Sequence, residues 1–222
     1  MGGVRPEGWR PTEETYLPDL NISESFDFPQ VERRLRNVPL NEGAIPGFHP
    51  YRSSIITLEQ VIIDQLRPCS LYLLASQLEF LKKLDQAFLN KGINILNLSQ
   101  ENTALDYRSG GGKNFTIMPP VVEVSDDDQG TLVITDGLHR THIAKMRGLK
   151  TIMALKIQKT AIPLPVLPIE WPEIKLCDTV PPSEQKRRFR FTDMQEIWQW
   201  IDDHQERFKQ GFEPRYYCYR SL

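Results

Sequence analysis

Ile134-Thr135-Asp136-Gly137-Leu138-His139-Arg140-Thr141-His142 reads as the end of a β-branched strand that runs through a glycine turn into a helix. Such a junction aims unpaired backbone N–H groups and the positive end of a helix dipole at one spot, and phosphate is the ligand that spot binds best. Gly137 lets the backbone approach a ligand closely. Arg140 adds a permanently charged planar fork, and His139 a donor whose charge can change near neutral pH. Asp136, just before the turn, is placed either to cap the helix or to hold Mg²⁺ against a polyphosphate. On spacing alone the same string also suits an Asp-capped helix carrying two surface histidines and a solvated arginine.

The flanks supply a setting. Val121 to Val124 is strand-like, Asp126 to Gly130 is a polar turn, and Thr131 to Ile134 returns as a second strand. Leu138 to Arg147 reads as a short helix ended by Gly148, and Thr151 to Ile157 as a further strand. Upstream, the β-branched runs Ile55-Ile56-Thr57 and Val61-Ile62-Ile63 predict buried strands. Leu74, Leu78, Leu81 and Phe88 recur at helical spacing, so Leu73 to Asn90 is expected to be a helix with Lys82 and Lys83 on its exposed face. Ile93 to Leu98 reads as another strand, and Ser99 to Asn114 as a polar, glycine-rich loop in which Lys113 could fold over bound phosphate.

The segment from Met118 to Ile157, with Asp136-Gly137-Leu138-His139-Arg140 at its centre and Gly148-Leu149-Lys150-Thr151 before the last strand, resembles the core of the ParB/sulfiredoxin-like superfamily. The resemblance includes the order of elements: strand, hairpin, strand, Asp-Gly-x-His-Arg turn, helix, strand. It implies a small mixed α/β (α+β) sheet with helices, and a turn that grips nucleotide phosphates together with Mg²⁺. Carried over by position, Asp136, His139 and Arg140 are the expected catalytic set and Asp136 the metal-facing carboxylate. Gly137, Leu138, His139, Arg140 and Thr141 are the expected phosphate-binding residues, joined by Lys113 from the loop.

Departures from the family sharpen the reading. Sulfiredoxins carry a catalytic cysteine where this chain has Leu138, which argues against sulfinic-acid reduction. The chromosome-partitioning members use Gly-Glu-Arg-Arg and follow it with a helix-turn-helix, whereas the downstream segment here is proline-rich. The Asp-Gly-x-His-Arg form resembles the free-serine kinases most, but their Pro-His-Glu base is replaced by Arg67-Pro68-Cys69-Ser70. Asp64, Glu79 and Glu123 are other candidates for the base, and Cys69 is read as core and not as a nucleophile. The resemblance therefore points to an ATP- or ADP-dependent phosphotransferase or nucleotide hydrolase with a small-molecule or protein acceptor. The alternative is a nucleotide-sensing or DNA-associated module without turnover.

Outside this core, residues 1–50 carry seven prolines and no sustained period, which predicts an extended arm that packs on residues 51–160 through Phe26, Phe28, Val31 and Leu35. A short helix is expected over Val31 to Arg36. Residues 161–222 read as a proline-rich connector followed by an amphipathic helix from Thr192 to about Lys209. The run Lys186 to Arg190 is either a contact for an acidic partner or a solvated segment.

Composition excludes several classes. With 222 residues, 40% hydrophobic and 25% charged, the chain is neither a disordered scaffold nor a mini-protein that needs staples. The 27 basic and 29 acidic side chains leave a formal net charge of −2, so no global field attracts nucleic acid. Three widely spaced cysteines suggest neither zinc nor a disulfide framework, and no apolar run is long enough to cross a membrane. The expected compartment is the cytoplasm.

Overall fold

The hairpin, turn and helix around Asp136 form the middle of a mixed sheet in the computed structural model, which describes residues 20–37, 49–108, 114–160, 164, 166–181 and 187–188. In chain order the elements are β1 (Asn21–Phe26), α1 (Phe28–Asn37), β2 (Ile55–Ile62), β3 (Leu66–Pro68), β4 (Tyr72–Leu74) and α2 (Ala75–Leu89). They continue with β5 (Ala104–Arg108), β6 (Asn114–Ile117), β7 (Val121–Ser125), β8 (Thr131–Asp136), α3 (Leu138–Met146), β9 (Thr151–Gln158) and β10 (Lys175–Cys177).

The main sheet has the order β2-β9-β7-β8-β3. β2 runs antiparallel to β9 over its whole length, β9 and β7 are parallel, and β7 and β8 form the expected hairpin. Period-two alternation divides the sheet's residues between two faces. Val61, Val122, Ile134, Ile152 and Ala154 pack against Leu78 of α2 and against Ile143 and Ala144 of α3. On the other face Ile56, Leu58, Val121, Leu155 and Ile157 pack beneath Val31 and Leu35 of α1 and beneath Tyr51. The far side of α2 presents Phe80, Leu84 and Phe88 to Leu105, Tyr107 and Ile117 of a second sheet, ordered β1-β5-β6. α2 is thus clamped between two sheets.

α3 ends as its glycine predicts. Gly148 has φ +74, its N–H donates to the Lys145 carbonyl, and the N–H of Leu149 donates to the Ala144 carbonyl, which satisfies two orphan acceptors of the last turn.

The structure corrects four expectations. Residues 21–37 pack on the core as expected but with regular structure that the arm reading lacked: β1 pairs with β5, and α1, longer than expected, buries Val31 and Leu35. The gain is a partner strand 80 or so residues away, which local periodicity cannot report. Ile93 to Leu98 forms no strand, because the Asn94 side chain accepts the Leu96 N–H and its carbonyl accepts the Asn97 N–H, turning the chain locally. Within the expected loop over residues 99–114, Ala104–Arg108 is a strand instead, with Leu105 and Tyr107 buried against α2. The helix expected from Leu73 begins at Ala75, since Tyr72–Leu74 pairs in parallel with β10. The helix predicted after Thr192 and the Gly110–Lys113 stretch lie outside the described residues. Among the described residues, no helix is long and apolar enough to cross a membrane.

Candidate phosphate-binding site

β8 and α3 meet at Gly137, which has φ +81, a conformation that L side chains rarely adopt. A Cβ at this position would lie 2.8 Å from the Pro120 Cα and 2.8 Å from Arg140 Nη2. Pro120 cannot retreat readily, because its carbonyl accepts the Leu155 N–H of β9 at 2.9 Å. The glycine is therefore demanded twice, once by torsion and once by space. The same contact shows that the Arg140 side chain folds back over the start of its own helix.

Arg140 Nη2 lies 3.1 Å from Asp136 Oδ2, and the two side chains are 14% and 26% exposed. Asp136 does not cap α3: Gly137 occupies the cap position, with no side-chain cap hydrogen bond. The capping role open to it from sequence is thus replaced by an ion pair across the turn. Arg140 Nε is buried and has no hydrogen-bond partner among the described residues. A charged donor held away from water without an acceptor is costly, and an anion at this helix start would satisfy it.

His139 departs from expectation. Its Nε2 accepts the Leu74 N–H at 3.0 Å, and burial, reinforced by the charges of Arg140 and His142, pushes its pKa down to about 4. The ring is therefore neutral near pH 7 and does not change charge there. With Nε2 engaged as acceptor, Nδ1 carries the hydrogen and is the face that remains for a ligand.

Thr141 is wholly buried, and its hydroxyl donates to the Gly137 carbonyl at 3.1 Å, so its hydrogen braces the turn and is not offered outward. Leu138 packs its side chain against the α2–α3 core and can offer a ligand only its backbone N–H. Gly137, His139, Arg140 and Asp136 are brought together at one place; Lys113 lies outside the described residues. Arg140 also acts electrostatically on Tyr107, whose hydroxyl pKa is raised by burial, so β5 borders the site.

None of the three other carboxylates is at the turn. Asp64 is exposed and ion-paired with Lys145; Glu79 is exposed and ion-paired with Lys82. Glu123 is buried and accepts the Tyr51 hydroxyl at 2.7 Å, on the sheet face opposite α3. Cys69 is buried with Val133, Leu164 and Val166, as a core residue. Arg188 of the basic run is ion-paired with Glu173. A shallow polar cleft lined by Gln65, Arg67, Gln129 and Thr131 lies at the other end of β8 from Asp136.

Sequence reasoning missed Pro120, Leu74 and Tyr107. The first two act through backbone atoms, and Leu74 is 65 residues from His139, so no spacing pattern carries them.

The mixed sheet, the Asp-Gly-Leu-His-Arg turn and the helix that follows define a ParB-like protein. A family model described as the ParB CE domain matches residues 30–170, more than half of the chain, and the chain belongs to that family. No curated protein and no solved structure matches it.

Proposed function

We propose that the Asp136–Arg140 turn holds the phosphates of a nucleotide, ATP or ADP with Mg²⁺, and that the chain is a nucleotide-binding phosphotransferase or nucleotide hydrolase. The observation that carries this reading is Arg140: a guanidinium folded over Gly137 at a helix start, with a buried Nε that no group among the described residues satisfies. The donor set suits an anion better than a bare cation. Asp136 already pairs with Arg140, and among the described residues no three His, Cys, Asp or Glu side chains group as metal ligands. Mg²⁺ would arrive with the phosphates and be held through Asp136, supplying charge neutralisation during phosphoryl transfer. His139 Nδ1–H and the first backbone N–H groups of α3 would complete the cradle.

Phosphoryl transfer asks mainly for positioning and electrostatics, so it tolerates a weak base. A non-catalytic nucleotide sensor is favoured by one observation: Asp64, Glu79 and Glu123 are each engaged away from the turn.

A thermal-shift panel of ATP, ADP, CTP and GTP with and without Mg²⁺ tests binding. A nucleotide at about 100 times its Kd adds about 2.7 kcal/mol of stability, which raises Tm by about 5 °C or more for a chain of this size. Arg140→Ala is expected to abolish the shift. A flat panel at millimolar nucleotide contradicts the reading. Phosphorus NMR of the bound nucleotide over hours then separates enzyme from sensor.

A further inference from the structure

We propose that Trp171, just beyond the part of the chain matched by the family model, is a positioning residue for the phosphate turn; this rests on the phosphate reading above. Its ring lies 6.2 Å from that of His142, tilted by 31°, and Lys145 Nζ is 5.5 Å from its centroid. Its Nε1–H donates to the Leu66 carbonyl at 2.9 Å. Trp171 thus bridges β3, which pairs with β8, and α3, which β8 feeds.

The segment around it is built to hold that bridge. Glu170 and Glu173 form a reciprocal capping box around Trp171, the Ile169 N–H donates to the Pro68 carbonyl at 2.9 Å, and Arg67 Nε lies 2.8 Å from Glu170. Four residues later β10 pairs in parallel with β4, placing Cys177 opposite Leu74, the residue whose N–H holds His139. One short stretch of chain therefore reaches both histidines of the Asp136–His142 string. It touches His142 directly through Trp171 and His139 through β4.

His142 is the gap this arrangement explains. Among the described residues its Nδ1 is buried without a hydrogen-bond partner, and the groups that bear on the ring are Lys82 from α2, Lys145 and His139 from α3, and the Trp171 ring. Burial, and after it the charges of Lys82 and Lys145, hold the ring's pKa below its ordinary value, and the Trp171 bridge fixes α3 against β3. The helix start that carries Gly137 and Arg140 is held by that same position.

The test uses the full chain with Trp171→Ala and Trp171→Phe, reading ATP·Mg²⁺ affinity by calorimetry and the His142 imidazole titration by NMR. Trp171→Ala is expected to weaken binding by at least about fivefold, the lower end of coupling between sites, and to move His142 up toward its ordinary value. Trp171→Phe keeps a ring against His142 but loses the bond to the Leu66 carbonyl, so it should return the His142 titration toward that of wild type and recover only part of the affinity. If the alanine variant does not fold, Trp171→Leu carries the same expectations. Unchanged affinity in Trp171→Ala, or a phenylalanine variant whose His142 titration stays like that of the alanine variant, overturns the role. A wild-type protein that binds no nucleotide overturns the phosphate reading itself, and with it this role.

Discussion

Gly137 sets the site at the scale of a single residue. Its left-handed torsion and the Pro120 contact make Gly137→Ala doubly unfavourable. The torsion alone costs about 1–2 kcal/mol, and the fixed Pro120 backbone adds to it. Urea unfolding should show a loss of about 2 kcal/mol or more, and nucleotide binding should fall with it. His139 makes a separate prediction. Its folded pKa of about 4 lies below the ordinary value of 6.5, so in the window between them the unfolded chain binds the proton that the folded chain refuses. The stability it contributes is present above pH 6.5 and is lost as pH falls toward 4, by about 3 kcal/mol in all. His142, also held low, slopes in the same direction. Denaturant midpoints measured from pH 7 to pH 4 should fall less steeply in His139→Gln than in wild type; equal slopes would show that the ring is not held neutral. The identity of these residues was legible in the sequence. The state of His139 was not, because its partner is a backbone N–H on another element.

α2 and α3 are joined at both ends. Leu74, at the cap of α2, donates to His139 in the first turn of α3, and Asp85, 1% exposed near the end of α2, is ion-paired with Arg147 at the end of α3. A buried charge left without its partner is what makes such a pair costly to break. Arg147→Ala, which strands the Asp85 carboxylate, should therefore destabilise by about 3 kcal/mol, while the same change made on Asp85→Asn should cost less than about 1. Equal costs in the two backgrounds would mean that the pair contributes nothing. Where an element carried its own punctuation it could be read locally: Gly148 closes α3, and the Asp126–Gly130 turn joins β7 to β8. Elements whose partners are distant could not. β5 resembles polar loop until β1 and β6 lie on either side of it, and Ile93–Leu98 resembles strand until Asn94 turns it.

The fold divides between a centre that sequence reveals and margins that it does not. Met118 to Ile157 carries strand, turn and helix in the observed order, so the mixed sheet follows from it directly. The earlier segment carries Phe26, Val31 and Leu35, buried in one cluster with Tyr51, Val121 and Leu155, and supplies an outer strand for β5. A chain beginning at residue 49 should accordingly lose cooperative unfolding, since Ala104 and Leu155 would be uncovered; calorimetry showing a wild-type transition would contradict this.

The central claim is that phosphate is held at the start of α3. The most direct measurement follows backbone amide shifts during titration with ATP and Mg²⁺. The account predicts that Leu138, His139 and Arg140 move first and furthest, and that Arg140→Ala suppresses the movement. Shifts confined to the Gln65–Leu132 cleft at the far end of β8, or shifts unchanged by Arg140→Ala, would contradict it.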